Sequence, residues 1–356
     1  MSPVQAATPK RGWSVRTVLE RALSQGHILA LLILIALFVV YANSATNVFT
    51  PLRMANLLTN GAPLVVAATG LTLVILVGGF DLSLGGIVVL ANVLLATRTG
   101  VTFESGLLAT FIVLGAGLAV GALNGFLVAY LRVQSIAATL GTFIMCTGLA
   151  LVILPTPGGS VPSFVSPGLS SSIGGVFPVS LIVILLCVVA WVAVKRTRFG
   201  VHIYAVGNDE RAAMQSGISV AWVKFRVYVA AGLMYSVAGI MLSAQTASGD
   251  PNASALFMVL SFAAVAIGGV RFGGGQGTAL GSIFGAGILT VLQKTLFAVG
   301  VSTFYTGIFQ GVVLIVAVLV GQLSVGIASR AEESLGSQDG HGTSAKTANA
   351  ESQTGE

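Results

Sequence analysis

Charge is what this sequence has least of. Only 8% of its 356 residues are Asp, Glu, Lys or Arg, against 55% hydrophobic, where a soluble domain carries roughly a quarter charged. That scarcity excludes an ordinary water-soluble fold. Histidine is sparse too: His27, His202 and His341 stand far apart, so no spacing suits a metal site. Cys146 and Cys187 both lie inside apolar runs, where a thiol acts as a small core residue rather than half of a disulfide. No Lys follows a Gly anywhere, which removes the phosphate-cradling segment G-x-x-x-x-G-K-[ST]; a G-x-S-x-G nucleophile turn is also missing. The sequence therefore shows neither an ATP-hydrolysing motif nor a nucleophile–base set for an intramembrane enzyme.

What fills the chain instead is long apolar sequence, with a mean hydropathy of +0.96. The runs have the length at which a helix spans a bilayer, about 20 residues. They are continuous rather than alternating, which excludes a β-barrel. The expected fold is all-α: a polytopic helical membrane protein of about ten transmembrane helices. The spans are read at 27–45, 61–78, 84–97, 106–130, 135–154, 178–194, 225–246, 255–270, 275–298 and 304–328. Residues 1–26 read as an interfacial N-terminal segment before an uncleaved first span. Residues 27–329 form the membrane domain, and 330–356 a disordered polar tail. The loop 155–177 has no charge and much Pro, Gly and Ser.

Placing both termini in the cytoplasm puts 14 of the 17 Lys and Arg residues inside and leaves only Arg53, Arg98 and Lys294 outside. This bias accounts for the net charge of +6 without any nucleic-acid partner. The longest hydrophilic interruption, 195–224, then lies in the cytoplasm. Within it "NDERAAMQSG" has the grammar of a short helix. Asn208 caps it, Asp209 and Glu210 suit its positive end, Arg211, Ala212 and Ala213 form its body, and Gly217 ends it. So short a helix needs a surface to dock on. It is either a solvated connector or a docking helix for a cytoplasmic partner.

The other outstanding stretch is "LVGGFDLSLGG", 76–86, where a carboxylate sits in apolar sequence. Gly78, Gly79, Gly85 and Gly86 should weaken the helix on both sides, giving a broken or re-entrant segment. Asp81 is either a cap for the next helix, with Ser83 helping, or an element of a pathway or gate. "IGGVRFGGG" matches this stretch at an offset of 190 residues, which aligns Asp81 with Arg271 and makes the two a candidate ion pair. Gly117, Gly121 and Gly125, and likewise Gly277, Gly281 and Gly285, form small-residue stripes for close helix packing. Polar residues within spans, Asn92, Asn124, Gln245, Ser261, Gln293 and Gln310, could line a path or bond between helices.

Four blocks carry a family resemblance. "RFGVHIYAVGNDERAAMQSGI" resembles the coupling segment of ABC importer permeases of the ribose/xylose/arabinose type. "GGFDLSLGG", "LNGFLVAYLRVQSIAATLGT" and "AVAIGGVRFGGGQGTALGSIFGAGIL" resemble three further motifs of that family, in order, over most of residues 60–320. Gln134, Ser135 and Ile136 stand where the family usually has Pro-Pro-Phe, and Arg271 where a neutral polar residue is common. The resemblance implies a homodimeric permease in the inner membrane that translocates a monosaccharide. ATP would be bound by separate ATPase subunits in the cytoplasm, leaving this chain without a cofactor, and a binding protein would deliver cargo outside. On this reading Asp81, Ser83, Asn124, Arg271 and Gln310 are the pathway or gate candidates. The competing readings are an ion-coupled secondary transporter, and the same ABC class with a nucleoside, polyol or furanosyl signal as cargo.

Overall fold

The computed structural model describes residues 26–97, 103–166, 168–173, 177–302, 305, 307–312 and 315. Eleven α-helices are defined among them: α1 (Gly26–Ser44), α2 (Pro51–Leu76), α3 (Ser83–Thr97), α4 (Phe103–Ala129), α5 (Ser135–Ile153), α6 (Val179–Arg196), α7 (Arg198–Asn208), α8 (Glu210–Gln215), α9 (Val220–Thr246), α10 (Ser254–Ile267) and α11 (Ala279–Ala298). A two-residue antiparallel pair, β1 (Ser172–Ile173) with β2 (Phe177–Pro178), folds the loop before α6.

Seven of these helices are long and apolar enough to cross a membrane: α1, α2, α4, α5, α6, α9 and α11. The all-α membrane fold is thus as expected. Two of the ten expected spans, α3 and α10, are apolar but short, with 15 and 14 residues. At about 1.5 Å per residue they reach only ~20 Å, less than the ~30 Å of a hydrocarbon core. They are the broken segments. The expected span 304–328 falls mostly outside the described residues, as do the N-terminal segment before Gly26 and the tail.

The bundle is built around α2 and α9. α9 packs against α2, α3 and α4, and α11 against α1, α2 and α10. In α2, 89% of the apolar window is buried, against 11% in α1 and 17% in α6. The centre is therefore protein-packed, and the outer helices turn apolar surface outward. Pro51 opens α2 at the helix start, where its missing N–H costs nothing. The helix begins ten residues before the expected 61, because its polar first turns extend past the apolar run. α9 likewise begins at Val220 rather than 225, and α11 at Ala279 rather than 275.

Glycine sets the closest approaches. A Cβ on Gly121 would lie 2.5 Å from the Tyr228 carbonyl oxygen, and one on Gly125 2.9 Å from that of Phe225, so this stripe joins α4 to α9. Gly281 and Gly285 press on the backbone of Gly268 and Ala264, joining α11 to α10, whereas Gly277 lies outside the helix with φ 119°. Cys146 and Cys187 are free and buried.

The chain alternates between two ends. One gathers Gly26, the end of α2, the starts of α3 and α5, α7 and α8, and the turn between α10 and α11. At the other end, Ser160 donates to the Ala96 carbonyl, Gly158 pairs with Gly249, and Gln245 donates to Asn60. Asn92 locks that end internally, donating to Ser243 Oγ at 2.8 Å and accepting from the Asp250 amide at 2.8 Å.

Candidate functional site

Two helix breaks meet at the first end of the bundle. α2 stops because Gly78 takes φ 77°, letting its amide reach the Ile75 carbonyl (2.9 Å) and the Gly79 amide reach that of Val74 (3.0 Å). α10 stops the same way. Gly269 takes φ 74°, with its amide on Ala266 O (3.0 Å) and the Val270 amide on Val265 O (3.3 Å). Gly85 and Gly86 do not weaken α3 as expected. They sit in its first turn and let it press on α10 and α5: a Cβ would meet Met258 Cβ at 2.9 Å from Gly85 and the Phe143 oxygen at 2.9 Å from Gly86.

The first break carries the carboxylate. Asp81 is 1% exposed, and its Oδ1 accepts from the Ser83 amide at 3.0 Å and from Ser83 Oγ at 2.5 Å. Ser83 Oγ in turn accepts from Asn124 Nδ2 at 2.9 Å, and Asn124 Oδ1 accepts from Thr142 Oγ1 at 2.8 Å. Three of the expected residues, Asp81, Ser83 and Asn124, are thus brought into one buried chain of hydrogen bonds across α3, α4 and α5. Its geometry is that of a helix cap extended through the core. Three groups that the sequence reading did not count as site residues hold the rest of the break. Ser135 Oγ accepts from the Phe80 amide (3.2 Å), Thr139 Oγ1 from the Leu82 amide (3.1 Å), and Tyr228 donates to the Phe80 carbonyl (3.1 Å). The Tyr235 hydroxyl is buried beside Asp81 without a formed hydrogen bond. A signal for the first two existed: Ser135, Thr139 and Thr142 make a polar stripe at spacings of four and three on an apolar helix.

Arg271 does not join this network. It is exposed while Asp81 is buried, and the ion pair among the described residues is Lys224–Glu210. The reason is register. The two helix ends superpose Gly78 on Gly269, an offset of 191, so Asp81 corresponds to Phe272 and Arg271 to Phe80. Phe80 and Phe272 stack on each other, with centroids 6.0 Å apart and planes 13° from parallel. Gln310 is buried in the helical stretch 307–312, and no hydrogen bond joins it to Asp81, Ser83 or Asn124.

The segment 198–215 sits at both breaks, with its first part, 198–208, directly on them. It holds two helices where the sequence suggested one. α7 is capped by Thr197, whose Oγ1 accepts from the Gly200 amide at 3.2 Å. The cap of α8 is Asp209, not Asn208: its Oδ1 accepts from the Arg211 amide at 2.8 Å and the Ala212 amide at 3.1 Å. Asn208 instead ends α7 and donates to Tyr204 O (2.9 Å) and Gly275 O (3.4 Å). Gly217 ends α8 with φ 80°, as expected. Ala213 is buried; Arg211, Ala212 and Met214 face outward. Tyr204 donates to Gly277 O at 2.6 Å, and the Gly275 amide donates to Leu76 O at 3.0 Å. Gly207 fits between Leu76 and Gly275 with no room for a side chain. A cavity of about 680 Å³ opens beneath α8, bounded by Gly78, Gly79, Arg132, Arg211, Lys224 and Glu210.

Comparison with known proteins gives this arrangement a context. The ribose import permease protein RbsC of Escherichia coli K12 is 35% identical over 306 residues, covering 84% of this chain and 93% of the relative. RbsC of Bacillus subtilis 168 is 35% identical over 76% of this chain and 84% of its own. The galactose/methyl galactoside import permease protein MglC of Haemophilus influenzae Rd is 31% identical over 82% and 92%. No solved structure matches. Residues 53–318 match the family described as branched-chain amino acid transport system / permease component. They span both breaks, α7 and α8, and on that match the chain is a multi-pass membrane protein belonging to this permease family.

Proposed function

We propose that this chain is the membrane-spanning subunit of an ATP-binding-cassette importer for a monosaccharide, working as a homodimer. Two ATPase subunits bind and hydrolyse ATP on the side of α8, which is the cytoplasm, and both termini lie on that side. A binding protein delivers cargo at the other end. The observation that carries this reading is the seating of α7 on the two breaks, with α8 continuing from it. Force applied to the outward face of α8 has a short path through Asn208 and Tyr204 to Gly275 and Gly277. Asp81, Ser83 and Asn124 fix the first break on that path, and they serve the gate as its scaffold. The monosaccharide follows from relatives named for ribose and galactose import, although the family's description names branched-chain amino acids.

Two measurements test it. Arg211→Glu with Met214→Asp alters the exposed face of α8 and spares the buried Ala213. The variant should insert normally yet lose capture of the ATPase subunit, and normal co-purification would remove α8 from this role. Uptake of labelled ribose, galactose and leucine by cells carrying the complete transporter decides the cargo. Uptake of leucine alone would overturn the sugar assignment.

A further inference from the structure

The end of the bundle away from α8 is poor in cations. Among the described residues it holds two, Arg53 and Lys294, and both line one cavity of about 630 Å³ between α1, α2 and α11. Neither forms an ion pair among the described residues, and no acidic residue lines the cavity. The placement of Arg53 is electrostatically unfavourable as it stands. Arg53 sits in the first turn of α2, where the helix dipole is already positive, and that turn has no acidic residue and no side-chain cap. An anion at this point would relieve both charges. The surroundings say what kind. Asn56 and Ser44 add polar groups at the rim, while Leu52 and Phe297 are 71% and 68% exposed. α1 continues from the cavity with an outward face of Leu32, Ile35, Val39 and Val40. Paired cations at the end of a span, next to an apolar face one helix long, match an anionic headgroup joined to acyl chains.

We infer that this cavity binds the phosphate of an anionic membrane glycerophospholipid, with Arg53 and Lys294 on the headgroup and the chains along α1. The full chain, reconstituted in vesicles of phosphatidylcholine and phosphatidylglycerol and released for native mass spectrometry, should retain phosphatidylglycerol in preference. Arg53→Gln and Lys294→Gln should each weaken that retention about fivefold, the effect of one basic group near a lipid surface. Lys294→Arg should preserve it, and Lys195→Gln at the opposite end should leave it unchanged. Should Lys294→Gln fold poorly, the exposed Arg53→Gln carries the test alone. Unchanged retention in Arg53→Gln overturns the proposal. Displacement of the lipid by inorganic phosphate overturns it in favour of a free-anion site. Unchanged lipid with lost capture of an external binding protein assigns the two cations to that protein instead.

Discussion

Asp81 shows how much one side chain can be asked to do. It ends a break, starts α3 and reaches α4 through Ser83, with no ion pair to it among the described residues. Asn offers the same acceptor oxygen and caps as well as Asp, so Asp81→Asn should leave thermal stability in detergent nearly unchanged. Asp81→Ala strands the buried Ser83 amide and hydroxyl, and should cost about 1–3 kcal/mol for each group left unpaired. Arg271→Gln should be silent, and its combination with either Asp81 variant additive, because the two residues share no partner. Strong coupling in that double-mutant cycle would restore the ion pair. Asp81, Ser83 and Asn124 were legible in sequence because a polar residue in an apolar span must find a partner. The partners themselves were not. That Ser135 receives the Phe80 amide depends on α5 starting beside the break, 55 residues away. Proline, which the related motif has in this region, offers no side-chain acceptor.

The helices were legible wherever apolar length defined them, and least so where packing did. α7 is amphipathic and follows α6 after one residue, so hydropathy merged it into a loop. The break register differed by one residue from its sequence alignment because glycines alone set that alignment, whereas the backbone ends the two helices at Gly78 and Gly269. Interfaces between helices test this distinction directly. In α4, Gly121 faces the α9 backbone at 2.5 Å from a built Cβ, and Gly115 faces open space. Gly121→Ala forces backbone apart and should cost about 1–3 kcal/mol. Gly115→Ala should be neutral or stabilising by up to about 1 kcal/mol, since Ala is the better helix former. Melting curves of the two variants in one detergent check the pair. Equal effects would mean that α4 and α9 do not approach as described.

For the whole molecule, the decisive property is that α7 touches both breaks while α8 reaches outward. Tyr204→Phe keeps the ring and removes only the bond to Gly277 O. On the proposed function it should leave ATPase capture and ATP hydrolysis intact while lowering transport per ATP several-fold. A proportional fall in both would point to a folding defect, and unchanged transport would remove Tyr204 from the path. This architecture was legible in outline, from the bias of basic residues and the capped segment 208–217. The direct seating of α7 on the breaks was not, because it pairs Asn208 and Tyr204 with carbonyls some 70 residues further on, and no periodicity records such a pairing.

The bond from the Gly275 amide to Leu76 O has a consequence in time. The two residues are separated by 199 positions, and a ribosome adding about 5–20 residues per second needs roughly 10–40 s to cover them. For most of that interval α2, the most buried of the seven membrane-length helices, lacks α9, and α11 follows only after it. Its polar first turns and the open end at Gly78 must be sheltered by the insertion machinery or by α1. Birth order therefore runs against burial order: a central helix is made early and waits for α9 and α11, which are made long after it.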